Sequence, residues 1–92
     1  PLMKTINPDE LGTPIVVIES SQINRFATSI EIKDFFTSQG FVAVLSNKGN
    51  LYNDKFDLKI KISSNGKLTL LDSKNKKITT FKNFSDLQKE EF

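Results

Sequence analysis

The side chains that most enzymes use for proton transfer, nucleophilic attack or metal ligation are missing from this sequence, which has no His and no Cys. Without imidazole there is no proton shuttle near neutral pH and no nitrogen ligand for zinc or copper. Without a thiol there is neither a sulfur nucleophile nor a disulfide framework. What remains is the chemistry of carboxylates and amines. Glu31 and Asp34 stand at an i, i+3 spacing that a helix brings to one face, as general acid work would require. A solvated helix surface accounts for the same pair, and it is the reading adopted. No Ser sits in a recognisable nucleophile turn beside a Lys. No catalytic residue and no enzyme activity are expected.

Three short motifs resolve in the same direction. The stretch from Ser46 to Asp57 is rich in oxygen ligands, but it lacks the alternating acids and closing Glu of a calcium loop and contains Lys48 and Lys55. Gly66-Lys67 has no preceding glycine and is followed by Leu68, so it is a hairpin turn and not a phosphate loop. Asn83-Phe84-Ser85 is formally a glycosylation acceptor, and without a secretory signal it carries no meaning. No metal and no organic cofactor are expected.

The elements that must position the remaining lysines follow from length and pattern. The 92 residues make one domain, with Pro1-Leu2 read as a cloning remnant and residues 3–14 as an irregular arm broken by Pro8, Gly12 and Pro14. Eight Phe and an abundance of Ile and Leu fill one modest core. The longest apolar run, Phe41 to Leu45, is far too short to span a bilayer, and no signal peptide is visible. Ile15-Val16-Val17-Ile18 is a β-branched run that predicts a buried strand.

Residues 22–40 carry two apolar stripes on opposed helical faces, which a break at Thr28 resolves. Thr28 and Glu31 match a capping box, predicting a helix from Ser29 to Gln39 with Gly40 as its left-handed stop, and an extended or turn segment over 22–27. Strands follow at 41–46, 56–63, 67–72 and 77–82. Ser85 and Gln88 form a second capping box that predicts a short helix to Phe92. The expected fold is α+β: a mostly antiparallel sheet of four to five strands, ending in a β-meander, against one main helix with a short C-terminal helix.

Register decides which lysines share a face. A three-residue loop, Ser64-Asn65-Gly66, pairs Ile62 with Leu68 and Ile60 with Leu70, whereas a two-residue Asn-Gly loop would mix apolar and charged residues on both faces. Carried through a four-residue loop from Ser73 to Lys76, the register puts Phe56, Leu58, Ile60, Ile62, Leu68, Leu70 and Phe81 on the core face. The outward face then holds Lys59, Lys61, Ser63, Lys67, Thr69, Leu71, Ile78, Thr80 and Lys82, with Leu71 opposite Ile78 inside a ring of lysines. Residues 48–82 carry nine Lys against three Asp, while the segments before and after are each net −2.

An apolar centre with a cationic rim suits an acidic protein patch or phosphates, with the protein ahead. The expected function is therefore that of a small cytoplasmic binding protein, a regulator or inhibitor acting on a macromolecular partner, protein ahead of nucleic acid. Its candidate site is Lys59, Lys61, Lys67, Thr69, Leu71, Ile78, Thr80 and Lys82, with a secondary candidate in the loop of Lys48, Tyr52 and Lys55. A sheet edge and the outward face both offer routes to a homodimer. The Lys-, Asn- and Ile-rich composition is that of a low-GC genome, such as that of a phage or mobile element. The rival reading is an RNA- or DNA-backbone binder, for Lys binds phosphate without reading bases, and Arg25 is the single Arg.

Overall fold

Five runs of β-branched and apolar residues become strands in the computed structural model, which describes residues 12–20, 26–47 and 51–92. The arm expected over residues 3–11, the extended stretch over 22–25 and the candidate Lys48 lie outside the described residues. In chain order the elements are β1 (Ile15–Ser20), α1 (Phe26–Ser38), β2 (Val42–Ser46), β3 (Leu58–Ile62), β4 (Leu68–Asp72), β5 (Lys77–Phe81) and α2 (Phe84–Leu87). The five strands form one sheet in the order β2-β1-β3-β4-β5. The α+β architecture expected from the sequence is the one observed, C-terminal antiparallel meander included. The pattern alone left open how β1 joins it: β1 lies between β2 and β3 and runs parallel to both.

The main helix does not break at Thr28. It is already helical at Phe26, so Thr28 lies inside its first turns and the expected capping box does not form. The core-facing stripe explains why: Ser29, Ile32 and Phe36 fall at i, i+3 and i+7, all three are buried, and Ile30 on the other flank is left half-buried. The helix ends as expected at Gly40 (φ 92°). Gly40 N donates to Thr37 O at 3.1 Å and Phe41 N to Phe36 O at 3.0 Å, the two bonds of a Schellman stop. The apolar contact that goes with this motif is present too, for the Phe36 and Phe41 rings meet edge to face at 5.3 Å.

The C-terminal helix is shorter than expected and starts elsewhere. Its N-cap is Asn83, whose side-chain oxygen accepts from Asp86 N at 3.0 Å, and it covers only Phe84–Leu87. An Asn in extended backbone reaches the third helical amide, which leaves Ser85 inside the first turn.

α1 packs on β1 and β2 and α2 touches β5, all on one face of the sheet. That face supplies Val16, Ile18, Leu58, Ile60, Ile62, Leu68, Leu70 and Phe81 to the core, joined by Ile32, Phe36, Phe41 and Leu87. Five Phe rings (Phe35, Phe36, Phe41, Phe84 and Phe92) contact one another at centroid distances of 4.8 to 6.3 Å and tie the C-terminal residues to the end of α1. Phe56, expected on this face, is not part of the core cluster. Asp57 is the reason: its N–H donates to Ile15 O at 2.8 Å and its Oδ2 accepts from Ile15 N at 2.7 Å, so the chain is clamped to the start of β1 and regular alternation begins only at Leu58.

The β3–β4 hairpin has the expected three-residue loop, with Gly66 at φ 88° and pairs Ile62–Leu68 and Ile60–Leu70. The β4–β5 loop is one residue shorter than expected. Asp72 N donates to Lys76 O at 2.9 Å, and Asn75 takes the left-handed position (φ 63°) that Gly66 takes in the first hairpin. A bulge between Leu70 and Leu71 then adds back one residue on β5, so that Leu70 meets Thr79 and Leu68 meets Phe81 as expected, while Leu71 faces Lys77 and not Ile78.

Candidate functional site

The outer face of the sheet is read from the strand registers. One row runs Val44, Val17, Lys59, Leu71, Lys77, and the next runs Ser46, Glu19, Lys61, Thr69, Thr80. One step beyond the Leu68–Phe81 pair come Lys67 and Lys82, both exposed.

Half of this face is covered. β2 and β3 are both parallel to β1 and flank it, so the connection between them must pass β1 on one side of the sheet. Two parallel crossovers that step in opposite directions share a hand only if they use opposite faces. α1 occupies the core face, so the described part of the return segment, from Leu51 on, takes the outer one. Contacts along it agree: Tyr52 N donates to the Oγ of buried Ser46 at 3.2 Å, and the Phe56 ring lies 4.8 Å from Lys59 Nζ. Val17 is only 1% exposed although it points away from the helix.

This cover reorganises the candidate residues. Lys59 is held: its side chain is 14% exposed, its ammonium sits over the Phe56 ring, and it lies 3.5 Å from Glu19 Oε2. Leu71 is 8% exposed and supplies no accessible apolar centre. The expected Leu71–Ile78 pair is absent, and Ile78, 43% exposed, stands alone at the bulge. Lys61, Lys67 and Lys82 are exposed around half-buried Thr69 and Thr80, as the parity of the strands requires. Lys77 joins them from the row below, a residue the sequence reading placed in the strand but not in the site. The signal was there in Asn75, which tolerates the left-handed position and shortens the loop by one. Among the described residues no carboxylate pairs with Lys61, Lys67, Lys77 or Lys82.

The secondary loop is more structural than expected. Tyr52, expected near solvent, is half-buried and its hydroxyl donates to Lys55 O at 2.9 Å. Beside it Asn53, Asp54, Lys55, Phe56 and Ser73 line a cleft of about 380 Å³ that lies open to solvent, unlike the enclosed pockets that hold small molecules. In the adjacent turn, Asp72 Oδ1 accepts from Lys74 N at 2.8 Å and Lys76 N at 2.9 Å. Those two backbone bonds, aided by the charges of both lysines, hold the Asp72 carboxyl below the usual Asp range. Lys74 and Lys76 are exposed.

Among the described residues there is no cluster of three or more metal-ligating side chains, and no helix is long and apolar enough to cross a membrane. No protein-family model, curated protein or solved structure matches the chain.

Proposed function

We propose that this protein binds a negatively charged macromolecule through the outer face of β3–β5 and acts by occupying that partner, as a regulator or inhibitor and not as a catalyst. The observation that carries this reading is the placement of Lys61, Lys67, Lys77 and Lys82 on one face without a described carboxylate partner. Lys67 and Lys82, each one step beyond the Leu68–Phe81 pair, are exposed like charges at the same end of the meander, a clustering that a binding role explains. The absence of His and Cys supports a non-enzymatic role.

The test is a binding titration against two acidic polymers, a mixed-sequence DNA duplex and poly-glutamate, with the native chain and a Lys61→Glu/Lys67→Glu/Lys82→Glu variant. Binding of at least one polymer by the native chain, lost in the triple variant and kept in Lys89→Glu, is expected. Failure of the native chain to bind either polymer would remove the proposal.

A further inference from the structure

We infer that the partner is the phosphate backbone of a double-stranded nucleic acid, gripped without regard to sequence by Lys61, Lys67, Lys77 and Lys82 with Thr69 and Thr80 between them. This rests on the function proposed above and goes further by choosing between acidic partners. A protein interface draws most of its energy from a buried apolar or aromatic anchor at its centre. The place where that anchor was expected is occupied by Leu71, which is 8% exposed, and apart from the lone Ile78 at the bulge what the face presents is amines and hydroxyls. Those are the donors that phosphate oxygens accept from, and neutralising phosphates needs no apolar centre.

The dimensions agree. Between Lys77 at one end of β5 and Lys82 just past the other lie five residue steps, about 17 Å at the usual strand rise of about 3.4 Å. Phosphates of one strand of a duplex advance about 3.4 Å each along the axis, so the lysines reach across roughly five of them. Single strands are held by aromatic platforms. Here Phe35, Phe36, Phe41, Phe84 and Phe92 are engaged with one another, Phe81 is in the core, and Phe56 lies under Lys59. Among the described residues no aromatic ring stands on the lysine rows, which leaves the duplex. Base readout is not expected, since ammonium groups discriminate bases poorly compared with the fork of Arg.

The experiment is fluorescence anisotropy with a labelled mixed-sequence 20-bp duplex at 50 and 200 mM salt, in parallel with a single strand of equal phosphate content and with poly-glutamate. Four phosphate contacts predict a loss of roughly 100-fold in affinity over that salt range, and a Lys67→Ala/Lys82→Ala variant should lose only about 10-fold. Ile78→Ser should bind as the native chain does, and circular dichroism should show both variants folded. Tight binding of poly-glutamate with no binding of the duplex would overturn this inference and leave the acidic-partner reading standing. Absence of binding to all three polymers would remove both. Preference for the single strand, or a salt dependence unchanged in the double variant, would overturn the duplex or the assigned face.

Discussion

The two halves of the sheet are built by opposite rules. In the parallel half, β1 is buried on both faces: Val16 and Ile18 on the side of α1, and Val17, 1% exposed, on the other. In the antiparallel half, β3 to β5 bury Leu58, Ile60, Ile62, Leu68, Leu70 and Phe81 on one face and offer Lys61, Lys67, Thr69, Thr80 and Lys82 on the other. A strand covered on both faces reads as an unbroken apolar run, and one covered on a single face reads as alternation. The difference separates a half that holds the molecule together from a half able to carry a charged surface at little cost in stability.

The largest effect is expected when the same charge is put on the same face of each half. Val17→Asp buries an uncompensated carboxylate beneath the crossover and should cost on the order of 3–5 kcal/mol, read from urea denaturation. Thr69→Asp, two strands away, should change stability by no more than about 0.5 kcal/mol. Equal losses would mean that the outer face is covered throughout.

A smaller effect is expected at two of the left-handed positions, Gly40 and Asn75. A Cβ at Gly40 would meet nothing within 4 Å, so Gly40→Ala should cost about 1 kcal/mol through its positive φ alone. Its counterpart in the meander, Asn75→Gly, should shift stability by only a few tenths of a kcal/mol, since Asn already tolerates that conformation. Thermal melts of the two variants compare them directly.

Lys82→Glu separates binding from stability. An exposed residue just past the end of β5 should change stability by no more than about 0.5 kcal/mol when its charge is reversed, while polyanion binding weakens. A fall in both would mean that Lys82 supports the fold.

The smallest effect is a pH dependence. The Asp72 carboxyl titrates lower folded than unfolded, because the charged form accepts two backbone N–H groups. The unfolded chain therefore binds more protons between the two values, and stability rises with pH through that window. The contribution is complete above the ordinary Asp range and is lost as pH falls through the lowered folded value. In Asp72→Asn, which keeps an acceptor but cannot titrate, stability should fall less between pH 5 and pH 2 than in the native chain.

What could be read from the sequence was what parity decides. The Ile62–Leu68 and Ile60–Leu70 pairs, Gly66 and Gly40 in their turns, and the outward set Lys61, Lys67, Thr69, Thr80 and Lys82 all follow from alternation and turn chemistry. What could not be read depends on pairing distant in sequence. The position of β1 between β2 and β3 is not encoded in any local pattern, and the crossover follows from it, as do the covering of Val17, the holding of Lys59 and the burial of Leu71. The false capping box at Thr28 failed for a related reason. Ser29 faces the core, and a buried Ser is indistinguishable in sequence from a solvent-facing one.

One consequence of the first hairpin concerns how the protein ages. Asn65-Gly66 is the dipeptide most prone to deamidation, because the glycine amide nitrogen can attack the asparagine side-chain carbonyl and close a succinimide. In the folded hairpin that attack is held off by position, since both the nitrogen and the side chain are pinned away from the geometry it needs. The Gly66 N–H is committed to Ser63 O at 3.0 Å, and Asn65 Oδ1 accepts from Lys67 N at 3.1 Å and from the Ser63 hydroxyl. The same bonds that set the register of the meander therefore protect its chemistry. Each excursion to the unfolded chain exposes Asn65 to a change that leaves a carboxylate beside Lys67, an irreversible record of unfolding that mass spectrometry of the 63–67 peptide can read.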